Sequence, residues 1–180
     1  MRSTSSKDLW VFGYGSLIWN PDVPVVERRT GHVHGFARRL YQGSTDHRGD
    51  PDQPGRVVTL VEKGDAECSG VAFRVPAEHR EEALARLDDR ELVRGGYERK
   101  VVPFQPSDGA VMDVVLYVAS EENALFMGPA KPEVIAAQVG RARGRCGTNR
   151  EYLTRLASSL RALQLDCDHV FSVERALVPA

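Results

Sequence analysis

Two stretches of this 180-residue chain carry residue types that can hold an oxygen anion or move a proton: Trp10-Val-Phe-Gly-Tyr-Gly-Ser-Leu-Ile-Trp19 and Leu87-Asp-Asp-Arg-Glu91. In the first, a short apolar strand breaks at Gly13 and Gly15 and resumes with bulky residues. Glycine lacks the Cβ that keeps a ligand away from the backbone, so the amides from Tyr14 to Leu17 can face a carbonyl or carboxylate oxygen. Glycine pairs after a strand also serve a turn alone, and both readings stand at this point. A dinucleotide loop is disfavoured, because its fingerprint needs a third glycine where Ile18 stands.

The second stretch offers a carboxylate. The segment from Ala77 to Leu92 is rich in helix formers, with Ala83, Leu84 and Leu87 on one face and Glu78, Glu81, Arg86 and Arg90 largely on the other. Glu91 lies seven residues after Leu84 and four after Leu87, so it continues the inward face at the helix C-terminal end. Burial and the helix-end carbonyls both disfavour negative charge, which raises the carboxyl pKa toward neutrality and suits a general base. The plainer alternative is a helix-end carboxylate paired with Arg90 or Arg94, and Asp88 and Asp89 are neighbouring rivals for the acid role.

These residues need a frame. After the first strand, Gly31 to Tyr41 has the partial alternation of a second strand with one wet face. The glycine-, proline- and aspartate-rich segment from Gly43 to Gly55 reads as a long functional loop. Arg56–Glu62 and Ser69–Val75 are expected to form a hairpin around Lys63-Gly-Asp-Ala66. Tyr97–Phe104 and Val111–Val118 are expected to form another around Pro106-Ser-Asp-Gly109. Helices are expected over Lys131–Ala142, over Asn149–Leu163 behind the capping box Thr148-x-x-Glu151, and from Asp168, as cap, to about Leu177. Strands first and helices gathered at the end make an α+β fold, with a polar tail over 1–8 and one domain over 9–180.

Composition narrows the partners. A formal charge of −1 gives no pull toward nucleic acid, and 42% apolar residues support one core. No apolar run approaches the roughly 20 residues of a membrane helix, and no signal peptide is evident, so no membrane partner and a cytoplasmic location are expected. Cys68, Cys146 and Cys167 are odd in number and lack ligand spacing, which reads as three reduced thiols. His32 and His34 share a strand face, but no carboxylate or cysteine joins them or His47 at a recognised spacing, so no metal is expected. Arg141-x-Arg-x-Arg145 reads as a solvated helix end that could also attract an anion.

Three further blocks follow the glycine turn in order: Arg38-Arg-Leu-Tyr-Gln-Gly-Ser-Thr-Asp-His-Arg-Gly49, Pro54-Gly-Arg-Val-Val-Thr-Leu-Val61 and Leu87-Asp-Asp-Arg-Glu91. Together they resemble the ChaC-like glutathione-specific γ-glutamylcyclotransferases from about Trp10 to about Leu160. The resemblance implies a lyase that cyclises the γ-glutamyl end of glutathione to 5-oxoproline and releases cysteinylglycine, without cofactor or metal. It implies a small, mostly antiparallel β-barrel flanked by helices. Glu91 would be the general base and then the acid. The substrate would be held by Val11, Phe12, Gly13, Tyr14, Gly15, Ser16 and Leu17, with Arg39, Gln42, Glu82 and Tyr152. Arg39, Gln42 and the run from Ser44 to Arg48 are expected toward the cysteinylglycine half. Glu82 alternatively sits on a solvated helix face, and Tyr152 alternatively packs its helix. The segment between Glu91 and Gly95 is two residues longer than in some relatives, which leaves room for other γ-glutamyl donors. A non-catalytic γ-glutamyl binder is the alternative from another class, and oligomeric state is not legible.

Overall fold

The computed structural model describes residues 7–93 and 96–177. Five strands, β1 (Leu9–Gly13), β2 (Glu27–Ser44), β3 (Gly55–Val75), β4 (Glu98–Pro106) and β5 (Met112–Val118), close into a barrel in the order β1-β3-β2-β4-β5. Every pairing is antiparallel except the closing seam, where Val11 of β1 meets Val115 of β5 in parallel. The expected α+β barrel with flanking helices is therefore the observed fold. Closure removes the open sheet edges that would otherwise present unpaired amides.

One expected hairpin is not formed. Gly55–Val75 is a single strand, and β2 runs antiparallel beside its whole length. The register passes from His34↔Glu67 to Phe36↔Glu62, so Lys63, Gly64, Asp65 and Ala66 lie opposite Gly35 alone. Gly35 takes φ +80°, which a residue with a Cβ rarely adopts, and the turn-forming residues of β3 serve a bend that both strands share. The second hairpin, β4–β5, forms around the expected turn residues.

The segment expected as one helix from Ala77 to Leu92 breaks into three pieces: a 3-10 turn (Ala77–His79), α1 (Arg80–Asp88) and a π-helical turn (Asp89–Val93). Ala83 and Leu87 bury against Leu9, Val11, Leu17, Val75 and Tyr117, which pins α1 to the seam strands. Asp88 then accepts from the Tyr117 hydroxyl at 2.8 Å and pairs with Arg99 at 2.6 Å. The wider turn follows directly, and such single π turns are often found at functional sites.

Three helices cover the other side: α2 (Pro132–Arg141), α3 (Asn149–Ala162) and α4 (Asp168–Arg175). Ile135, Val139, Leu153, Leu156, Leu160, Val170 and Val173 are all fully buried in the cluster that contains Phe12, Phe73 and Phe104. Each such side chain contributes about 1.5–3 kcal/mol relative to exposure. The Thr148/Glu151 capping box is present. Asp168, expected as a cap, instead occupies the first turn of α4, where its charge favours the helix N-terminus without a side-chain capping bond.

The expected polar tail falls mostly on residues 1–6, outside the described residues. Asp8 belongs to the fold: it pairs with Arg74 at 2.8 Å and accepts from the Ala77 amide at 3.0 Å. The three cysteines are free thiols, as expected. Among the described residues, no helix is long and apolar enough to cross a membrane.

Candidate active site

A cleft of about 640 Å³ lies between the turn after β1, the π turn after α1, the ends of β2 and β3, and α3. That size falls within the roughly 300–1,000 Å³ typical of small-ligand sites. Tyr14, Gly15, Ser16, Leu17, Gln42, Glu91 and Tyr152 all line it, so the structure brings most of the expected site residues together.

The turn is rigidly held. Ser16–Ile18 form a 3-10 helix whose first amides lack an intrahelical acceptor. Buried Tyr14 donates from its hydroxyl to the Tyr117 carbonyl at 2.6 Å, and the buried Arg38 Nε donates to the Tyr14 carbonyl at 2.7 Å. The two glycines serve packing more directly than ligand approach. A Cβ on Gly13 would sit 2.8 Å from the Phe73 ring, and one on Gly15 would sit 2.8 Å from Val58 Cγ2 and 3.3 Å from the Tyr152 hydroxyl.

Tyr152 is positioned by a clamp between α3 and β3. Fully buried Asn149 accepts from the Arg56 amide at 2.6 Å and donates to the Arg56 carbonyl at 2.8 Å, completing the edge of β3 as another strand would. One turn later, the Tyr152 hydroxyl accepts from the Val58 amide at 3.2 Å. Burial pushes the Tyr152 phenol up to about 12, and Tyr14 and Tyr97 are pushed well above the usual range by the same cause. All three are neutral hydroxyls at physiological pH.

Glu91 faces this wall from the π turn. Its side chain is 17% exposed, and its Oε1 lies 3.0 Å from Arg90 Nε. Burial raises the carboxyl above its ordinary value, and the Arg90 guanidinium pulls it partly back. Arg90 also donates to Ser16 Oγ at 2.9 Å and to the Asn20 carbonyl at 3.2 Å, so one guanidinium ties the carboxylate to the glycine turn. The Tyr97 amide donates to the Glu91 carbonyl at 2.8 Å, and Gly96 takes φ +67° between them. Arg94, the other expected partner of Glu91, and Gly95 lie outside the described residues.

The remaining expected residues separate. Val11 and Phe12 are buried strand positions whose side chains enter the seam and the barrel core, and with Gly13 they lie outside the cleft lining. Arg39 lines a different cleft beside α4 and donates to the Arg38 carbonyl. Glu82 is 80% exposed beside His79, on the solvated face of α1. The resemblance carried these positions over together, although neighbouring strand residues point to opposite faces and Glu82 takes the solvated helix face that its spacing offered as the alternative. From the loop block, Ser44, Thr45, Asp46, His47 and Arg48 do line the cleft. Arg145 secures that loop through Asp46 at 2.7 Å and His47 at 2.9 Å, so this basic side chain is not simply solvated.

Three lining or bracing residues escaped the sequence reading as functional parts: Arg90, Tyr97 and Asn123. Asn123 accepts from Gln42 Nε2 at 3.0 Å and donates to the Gly96 carbonyl at 2.6 Å, joining the loop behind Glu91 to the end of β2. It lies in an irregular segment with no periodicity to mark it. Gln42 is 1% exposed, and its Oε1 has no hydrogen-bond donor among the described residues.

A family model described as "ChaC-like protein" matches residues 9–178. Glutathione-specific gamma-glutamylcyclotransferase 1 of Danio rerio is 44% identical over 174 residues, covering 94% of this chain and 89% of that protein. The Escherichia coli glutathione-specific gamma-glutamylcyclotransferase is 34% identical over 160 residues, covering 89% and 68%. Among solved structures, a glutathione-specific γ-glutamyl cyclotransferase from yeast aligns with a TM-score of 0.87 at 26% identity, covering 94% of this chain and 95% of that one.

Proposed function

The chain belongs to the ChaC-like family, and we propose that it cyclises the γ-glutamyl group of glutathione, releasing 5-oxoproline and cysteinylglycine, with Glu91 as the proton carrier. The observation that carries the reading is the pairing of a largely buried carboxylate with the first-turn amides of Ser16 and Leu17 across one cleft, linked by Arg90.

The substrate's α-amine must lose a proton before it can attack the γ-carbonyl carbon. Glu91 accepts that proton, and its burial-raised pKa makes it a better match to the amine than an exposed carboxylate. The new C–N bond closes the five-membered ring, and negative charge moves onto the carbonyl oxygen. Fixed backbone donors in the turn stabilise that charge, at about 2.7–4 kcal/mol for each donor in comparable sites. Glu91 then returns the proton to the cysteinyl nitrogen as the old C–N bond breaks and the oxyanion collapses to the lactam carbonyl. It also carries the ring nitrogen's second proton to the departing amine, which leaves as the ammonium form of cysteinylglycine. Gln42, which lines the cleft at the end of β2, is assigned to the leaving half of the substrate. No metal or cofactor takes part in these steps. We place the activity in the cytoplasm, where unpaired thiols such as these remain reduced.

Glu91→Gln keeps the shape and removes the basicity. Turnover of glutathione, followed by mass detection of 5-oxoproline, is expected to fall about 10²–10⁴-fold, the usual contribution of a positioned acid–base group. Near-normal turnover in that variant would remove Glu91 from the role. Comparison of kcat/KM for glutathione and γ-glutamyl-alanine tests the donor.

A further inference from the structure

His32 and His34 alternate on β2, so both project from the same side of the strand while Val33 between them is fully buried. Sequence spacing supplies no third ligand for this pair. The β2–β3 register does, because Glu67 lies directly across from His34. His32 Nε2 lies 3.2 Å from His34 Nε2 and 3.7 Å from Glu67 Oε1, while His34 Nδ1 lies 3.2 Å from the same carboxylate oxygen. One ligand atom from each residue falls within a 4.8 Å group.

We propose that His32, His34 and Glu67 form a binding site for a divalent transition-metal ion such as zinc, on the barrel surface away from the catalytic cleft. A tetrahedral zinc with Zn–N bonds of about 2.0–2.1 Å sets its ligand atoms about 3.3–3.4 Å apart, close to the observed separation of the two imidazole nitrogens. Two imidazoles and a carboxylate suit zinc, nickel or copper and disfavour magnesium, which prefers an all-oxygen shell. The three ligands come from adjacent strands at the shared bend, where Gly35 faces Lys63–Ala66. A bound ion therefore joins β2 to β3 where their ladder is interrupted, and binding only to the folded state raises thermal stability. The side chains are 27%, 68% and 51% exposed, so an ion reaches them without opening the core.

The test titrates zinc into the untagged chain by calorimetry and follows the thermal midpoint, with magnesium as the comparison ion. A Cys146→Ser/Cys167→Ser background removes the accessible thiols that could also take zinc. One zinc per chain and a raised midpoint are expected in that background, with no response to magnesium. His32→Ala/His34→Ala is expected to weaken zinc by at least the roughly 10–100-fold typical even of lost outer-shell partners, and Glu67→Gln to weaken it less. Metal-free 5-oxoproline release by the histidine variant is expected to match its parent, showing an intact fold. The proposal is overturned by absent zinc binding in the serine background, or by zinc affinity that survives the double histidine substitution.

Discussion

The two walls of the cleft are built differently. On the α3 side, Asn149 and Tyr152 engage backbone atoms of β3, and Tyr14 is fixed at both ends, all within the core. On the opposite side, Glu91 rides on a single π turn held mainly by polar ties, Arg90 to Ser16 and Asn20 with Asn123 bracing Gly96 just beyond it, and by the partly buried Leu92 against the seam cluster. The first wall is part of what makes the chain fold. The second is a positioned instrument laid against it, so stability and activity should separate between the walls.

Glu91→Gln is the strongest attack on that separation. Turnover should collapse as described while the urea midpoint barely moves, and a large loss of stability would break the contrast. Asn149→Ala tests the other wall: it strands the Arg56 amide and carbonyl, each at about 1–3 kcal/mol, so chemical denaturation should reveal a severe loss of stability.

Arg90→Met should lower kcat/KM by about ten- to hundredfold, the equivalent of losing a roughly 1.5–3 kcal/mol hydrogen bond involving a charged group. Because Arg90 holds the Glu91 pKa down against burial, the acid limb of the pH–rate profile should also move to higher pH in this variant. A limb that stays in place would detach Arg90 from the base.

The smallest effect concerns pH and the rigid side. His169 Nε2 accepts from the Leu40 amide at 3.0 Å, which requires that nitrogen to be unprotonated. Burial, helped by Arg39 and Arg56, pushes His169 down to about 4 from an ordinary value of 6.5. Its contribution is therefore complete above about pH 6.5 and is lost as pH falls toward 4, where the unfolded chain binds the proton first. His169→Gln, which keeps an acceptor, should flatten the thermal midpoint across that window.

Much of this was legible in the residues. The glycine turn, the β4–β5 hairpin and the Thr148 cap all follow local rules that the tertiary structure leaves intact, and Glu91 lines the cleft as expected although a π turn, not the continuous helix, carries it there. The reading failed where distant pairing overrode local chemistry. Lys63-Gly-Asp-Ala66 has the composition of a turn, yet a partner strand long enough to span both sides keeps β3 continuous. The π turn was hidden because a 3.6-residue period cannot reveal where one extra residue enters a helix. Arg39 and Glu82 came from resemblance, and the strand face and helix face they occupy direct them elsewhere. Arg90 was read as an outer-face residue and as one of two alternative ion-pair partners of Glu91, a pairing the structure contains, but nothing local shows that it also reaches Ser16.

The parallel contact between Val11 and Val115 joins segments from distant parts of the chain, and β1 runs from that contact straight into the turn at Ser16. In a partly assembled molecule, until the cylinder shuts, the cleft consequently lacks the wall that this turn supplies. Turnover and global order should therefore vanish along one denaturation curve.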